Sequence, residues 1–237
     1  MSGAQAPIFR AGAIERPLVV RRVATARAMK LAVDPRDGVV RLTLPRRMSE
    51  AKARRWAEEQ RGWVEAQLGR LPAPRPFAAG AVIPFRGEPL PIAWAPGHPR
   101  LPRLDDGRLI LGGANEGVGR RVTAFLRREA LRVLAEETAL IAARAGVTIG
   151  RVAIGDPRTR WGSCSARGDI RYAWRLILAP PFVLTSTVAH EVAHRLHMNH
   201  GPDFHAAEAR LLGASPAPAR AWLREHGAEL YWVGVEA

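Results

Sequence analysis

Apolar and polar positions follow two different periods along this chain of 237 residues. Near the start, residues 18–23, 28–33 and 39–44 have strand character. In the second run Met29, Leu31 and Val33 alternate with Lys30 and Ala32. In the third, Val40, Leu42 and Leu44 alternate with Arg41 and Thr43. A period of two puts one set of side chains on one face, so these two runs predict a half-buried hairpin. Asp34-Pro35-Arg36-Asp37-Gly38 supplies the turn between them. From Ser49 the period lengthens. Ala53, Trp56, Ala57, Trp63, Val64 and Leu68 predict an amphipathic helix to Leu68, capped by Ser49. Tryptophans at that spacing read as core, with a base-stacking surface as the alternative.

Residues 69–76 (Gly-Arg-Leu-Pro-Ala-Pro-Arg-Pro) break the pattern. Short strands are expected at 81–85, 89–94 and 108–111. Asn115 then opens a long helix to Ala145, with Val118, Val122, Phe125, Leu126, Leu134 and Ile141 on its buried face and Gly146 at its end. Strands follow at 152–154 and 170–178, and Pro180-Pro181 stops the second. Thr185 or Ser186 caps a last helix through the histidines. The fold class read from this order is α+β. The expected organisation is a flexible leader (1–15), an N-terminal αβ domain (16–113) and a second domain (114–237), divided where composition changes near Gly113–Asn115.

Charge changes this picture little. The formal net charge is +14, and all basic residues except Lys30 and Lys52 are arginine. The excess would attract a polyanion, so nucleic acid stands as a candidate partner. The arginines are nevertheless spread along the chain, without a recognisable nucleic-acid-binding motif. A single cysteine, Cys164, excludes an internal disulfide and fits a reducing compartment. The first thirteen residues lack the basic start and apolar run of a signal peptide, and no stretch approaches the ~20 apolar residues that span a bilayer. A cytoplasmic protein without a membrane partner is expected.

The candidate chemistry lies at the C-terminal end. Five of the seven histidines fall between His190 and His205. His190-Glu191-Val192-Ala193-His194 has the pattern H-E-x-x-H. On a helix, positions i and i+4 share a face, so His190 and His194 can hold one cation, with Glu191 placed to take a proton from its water. The apolar residues around the motif make the helix buried. Burying two imidazoles and a carboxylate is unfavourable unless they pair or bind metal. A catalytic zinc needs a third protein ligand and one open position. His197 lies about 10 Å along a straight helix from His190, too far to converge. Gly201 and Pro202 mark the helix end, and His200 sits at that exit, where the chain can fold back. His200 is preferred. His205 and Glu208 are the alternatives, with His197 the weakest.

The spacing resembles that of the metzincins only in part, because His197 stands at their glycine and no methionine follows Met198. Thr159-Arg160-Trp161-Gly162-Ser163-Cys164-Ser165, Trp174-Arg175-Leu176-Ile177-Leu178-Ala179-Pro180, the H-E-x-x-H motif and Met198-Asn199-His200 together closely resemble the YgjP-like zinc metallopeptidases, relatives of the SprT and Wss-type peptidases. The resemblance is strong from about Asp156 to Phe204. It implies a zincin-like catalytic domain, a peptide or protein substrate, zinc at His190, His194 and His200, and Glu191 as general base of a zinc-activated water. Ala173 stands at a usual asparagine of that family, and His205 at a usual aromatic position.

Several roles stay open at this point. Oxyanion stabilisation has four candidates: His197, His205, Tyr172 and Arg175. The strand at 170–178 is a candidate to pair with an extended peptide. Trp161-Gly162-Ser163 reads as a tight turn with an aromatic plug. The competing functions are a metal-dependent phosphohydrolase acting on nucleotides, disfavoured by the lack of a glycine-rich phosphate loop, and a protease of DNA-bound proteins.

Overall fold

A computed structural model describes residues 7–235. The chain forms two compact units, Met1–Ala73 and Pro74–Ala237. In the first, β1 (Ile8–Ala11), β2 (Ile14–Val23), β3 (Lys30–Val33) and β4 (Val40–Pro45) form one sheet in the order β1-β2-β4-β3. The hairpin expected from the alternation is present: β3 and β4 are antiparallel, with Val33 opposite Val40. Along β4 every second residue, Val40, Leu42 and Leu44, is buried. These pack with Leu18, Ala53, Ala57, Val64 and Leu68 into a separate core.

Two expectations for this unit need correcting. The leader expected at 1–15 is strand from Ile8, and Phe9 is fully buried in the core; its residues 1–6 lie outside the described residues. The helix expected through Leu68 is two helices, α1 (Glu50–Glu59) and α2 (Arg61–Leu68), separated at Gln60. Ala53, Ala57, Val64 and Leu68 keep one buried stripe across the break, and Trp63 lies outside it, exposed. Ser49 does cap α1 through the Lys52 amide.

In the second unit, β5 (Val82–Phe85), β6 (Glu88–Trp94), β7 (Arg103–Asp105) and β8 (Arg108–Leu111) form a sheet ordered β5-β6-β8-β7. The long helix α3 (Val118–Ala145) follows and ends on Gly146 in the left-handed region, as glycine permits without a Cβ clash. The division at Ala73–Pro74 departs from the boundary expected at residue 113. The reason is packing. Ile83, Leu90, Ile92, Leu109 and Leu111 share one core with Val122, Phe125 and Leu126 of α3, so the composition change near Gly113 is a loop within a single core.

A second sheet, ordered β10-β11-β9, is built from β9 (Val152–Gly155), β10 (Gly162–Cys164) and β11 (Ile170–Ala173). The strand expected to reach Leu178 stops at Ala173, and Trp174–Leu178 forms a 3₁₀ turn. Trp174, Leu176, Ile177 and Leu178 are all buried, and a continuous apolar run suits a buried strand or a buried helical turn equally. Next come α4 (Pro181–Ala193), α5 (Pro202–Leu212) and α6 (Ala217–His226). α4 starts at Pro181 rather than at a Thr185 or Ser186 cap, because proline at the first helical position loses no hydrogen bond and has the helical φ already set. α4 packs against α3, α5 and α6. Among the described residues, no helix is long and apolar enough to cross a membrane.

Candidate metal centre and active site

The H-E-x-x-H residues occupy the last turn of α4, and the helix stops on the motif itself. Ala193 is its last residue and His194 its C-cap. Arg195 N donates to Val192 O and Leu196 N to Ala193 O, which are tighter i→i+3 bonds that close the helix. The Arg195 side chain holds the turn by donating to Thr148 O and Ala166 O, at 3.2 and 3.0 Å. Gly201 and Pro202, expected to end this helix, instead start α5 as its N-cap and first residue. The turn between α4 and α5 brings His200 back over the pair. The ligand nitrogens of His190, His194 and His200 lie within 4.8 Å of one another, and His190 Nε2 is 3.3 Å from His200 Nε2. Phe204, fully buried on α5, is the floor beneath them, its ring 5.0, 4.7 and 4.7 Å from those of His190, His194 and His200.

The unchosen ligand candidates have other positions. His197 lies in the turn, its amide bonded to Ala193 O, and His205 is the fourth residue of α5; neither belongs to the convergent set. Glu208 stands behind the triad. Its Oε1 meets His190 Nδ1 at 3.0 Å, leaving Nε2 to face the other imidazoles. Its Oε2 is shared by His205 Nδ1 at 3.4 Å and the Arg220 guanidinium from α6. Burial raises the pKa of Glu208, but the hydrogen bonds and charges of His190 and Arg220 outweigh it and hold this carboxyl below its ordinary value. A carboxylate on the far nitrogen fixes the ring and its tautomer for a metal on the near one.

Glu191 is the opposite case. It is 4% exposed, and its Oε2 has no hydrogen-bond partner among the described residues. Burial pushes its pKa up to about 7, opposed by the charge of Arg160. β10 lies against this carboxylate, and a Cβ on Gly162 would overlap it, which is why the strand opens with glycine. Trp161-Gly162-Ser163 thus leads into an edge strand rather than forming a tight turn. Burial lowers the pKa of His190 against the pull of Glu208, and lowers that of His194 together with the charges of His190 and His200. Two half-buried imidazoles whose burial disfavours protonation, one paired to a carboxylate, and an exposed third whose ligand nitrogen lies within 4.8 Å of theirs could hold a divalent metal ion.

A cavity of about 240 Å³ adjoins the site. Trp161, Ala219 and Leu223 supply apolar wall, Ser186 and Thr187 line it one turn earlier on α4, and Arg160, His190, Glu191 and Glu208 supply the polar side. Trp161 is set by packing on Tyr231, with ring centroids 5.6 Å apart.

Two oxyanion candidates are placed elsewhere. Tyr172 is fully buried, and its hydroxyl is 2.9 Å from Thr138 Oγ1 of α3. Burial raises its pKa further. Arg175 spends its donors on Asp156, at 2.8 and 3.2 Å, and on Leu230 O and Val233 O, at 2.7 and 2.9 Å. It ties the C-terminal segment to Asp156 within the second unit. β11 cannot add a peptide strand, because β9 and β10 already occupy its two edges; the edge beside Glu191 is β10. Arg160, Arg220 and Phe204 are the site residues that periodicity and motif spacing did not single out for roles. The sequence marks Phe204 only as the limit of the family resemblance that begins near Asp156.

No curated protein and no solved structure matches the chain significantly. The family described as "YgjP-like, metallopeptidase domain" matches residues 27–226, a span that includes the triad, Glu191, Glu208 and Arg220. With a metallopeptidase match over most of its length and three imidazoles gathered above Phe204, the chain belongs to the YgjP-like metallopeptidase family.

Proposed function

We propose that this protein is a zinc-dependent metallopeptidase in which His190, His194 and His200 hold the metal and Glu191 is the general base. The observation that carries the reading is the pairing of a convergent imidazole triad with a buried carboxylate whose Oε2 is unpartnered. When bound, zinc supplies Lewis acidity toward the scissile carbonyl and acidifies water to a pKa of about 7. Glu191, itself near 7, is matched to accept the proton of the attacking water and return it to the leaving amine. Glu208 keeps His190 oriented through Nδ1. Arg160, which lines the cavity beside Glu191 and whose charge opposes the rise of its pKa, is the cation we assign to the developing oxyanion. An extended substrate segment fits along β10 by strand addition, with an adjacent side chain in the Trp161–Leu223 cavity.

The test is metal content with activity. Purified protein should carry about one zinc per chain and cleave an unfolded protein substrate. His190→Ala should lose both. A wild type that folds stably with no metal, or that hydrolyses nucleoside triphosphates and no peptide, overturns the proposal.

A further inference from the structure

A second and larger cavity, about 570 Å³, lies against the β9-β10-β11 sheet. Arg151, Arg160 and Arg171 line it, with Ser163 and Ser165 between them. The register explains the grouping. Ala153 is opposite Arg171, and Arg171 is opposite Ser163, so these three side chains share one face across the three strands. Ala153 is short, and the Arg171 side chain runs beside Gly155, which leaves room above the sheet. None of the three arginines forms an ion pair among the described residues. The one carboxylate in the cavity, Asp169, accepts the Arg151 backbone amide at 2.8 Å. Unpaired arginines gathered in a concave site recognise carboxylate or phosphate through paired donors.

Position decides between those two. Arg160 lines this groove and also the cavity that contains Glu191. β10 runs between them, since Gly162 lies against Glu191 while Ser163 and Cys164 line the groove. A chain laid along β10 toward the triad therefore places neighbouring side chains over the arginines.

We infer that the groove bounded by Arg151, Arg160 and Arg171 is a subsite for an acidic stretch of the polypeptide being cleaved. This rests on the peptidase reading above. It predicts a preference for aspartate or glutamate a few residues from the scissile bond.

Binding can be measured apart from cleavage. Metal-loaded Glu191→Gln protein is titrated into two labelled peptides, identical except for a run of glutamates against a run of serines, and fluorescence anisotropy is read. The acidic peptide should bind roughly tenfold more tightly, as a few exposed charge pairs allow, and added salt should erase the difference. Arg151→Glu/Arg171→Glu should reverse the preference, and Arg151→Gln/Arg171→Gln should reduce it. Arg103→Glu/Arg108→Glu, on the exposed β7–β8 hairpin, removes the same total charge and should keep it. Equal binding of the two peptides overturns the inference, as does an equal loss in the β7–β8 variant. So does a single-stranded oligonucleotide that needs Arg151 and Arg171 while the acidic peptide does not. If wild type cleaves neither peptide, the peptidase reading fails by itself, because the anisotropy preference is scored without turnover.

Discussion

Glu191 and Glu208 face the same cavity from two walls, and burial acts on them alike; their partners do not. Glu191, on α4, is enclosed with one oxygen unpartnered, and its pKa is pushed up to about 7. Glu208, on α5, is 1% exposed but accepts from His190, His205 and Arg220 and is held below its ordinary value. Desolvation raises both. Cationic and hydrogen-bonding partners reverse the sign at one of them. The first carboxylate can change protonation during a reaction near neutral pH. The second is a fixed acceptor for His190 Nδ1. Depth of burial thus does not set the protonation of either carboxylate; the donors and charges around it do.

The largest expected effect separates these roles. Glu191→Gln should keep bound zinc and lower kcat by on the order of 10³, within the range for loss of a positioned acid–base group. Metal analysis beside peptide hydrolysis measures both. If Glu208→Gln, with zinc retained, costs as much in kcat as Glu191→Gln, the distinction between the two carboxylates collapses.

The same contrast has a signature in stability. In metal-free protein the raised pKa of Glu191 means the native state binds more protons than the unfolded chain between about 4.5 and 7. Stability from this group is fully present below the unfolded value and is lost as pH rises through 7. The full difference is about 3 kcal/mol at 1.36 kcal/mol per unit. Glu208 has the opposite sign: its contribution is present above the unfolded carboxyl value and is lost as pH falls below it. The lowered histidines also add stability as pH rises toward their unfolded value, so the raw profile mixes signs. The difference between wild type and Glu191→Gln isolates the one group. Denaturant melts of the two proteins in chelator should show wild type losing ground to the variant from pH 5 to 8. Parallel curves would mean that Glu191 is not desolvated.

Local chemistry made part of this legible in the sequence. H-E-x-x-H at i and i+4 needed only helix geometry; the placing of His200 beside the pair did not follow from it, because the helix ends at Ala193 and not at the Gly201–Pro202 exit from which His200 was read. The β4 alternation of Val40, Leu42 and Leu44 showed its buried face directly. What stayed hidden depends on contacts between residues distant in the chain. The role of Glu208 requires α5 to fold back so that a residue eighteen positions on meets His190 Nδ1. Tyr172 and Arg175 stand close in sequence to the motif strand, but pleat and clamp send one to Thr138 and the other to Asp156. The apolar run after Ala173 carried no period that could distinguish a strand from the 3₁₀ turn it forms.

A smaller effect tests the supporting wall. Glu208→Ala removes the acceptor that fixes His190 and leaves the Arg220 guanidinium without its carboxylate. Zinc affinity should fall by about 10–100-fold, as for lost partners of metal-bound histidines. Competition with a calibrated chelator reads this. The activity that remains at saturating zinc should stay within tenfold of wild type, because the proton carrier is intact. Unchanged affinity would show that the His190 ring is held by Phe204 and α4 alone.

The smallest effect concerns Tyr172, whose hydroxyl distinguishes groups that face the triad from groups that only surround it. Phenylalanine keeps the ring that fills the core and deletes one hydrogen bond to Thr138 Oγ1. Thr138 still donates to Leu134 O at 2.6 Å, so its hydroxyl is not left unpaired. The loss should therefore be near that of a single buried hydrogen bond, about 1 kcal/mol, visible as a modest drop in Tm. Zinc content and kcat/KM should not move. A loss of activity beyond tenfold with zinc retained would require the Tyr172 ring to leave the core and donate to the oxyanion. That would transfer to Tyr172 the role assigned to Arg160, and it would make the buried Tyr172–Thr138 pair one state of a moving side chain rather than its resting place.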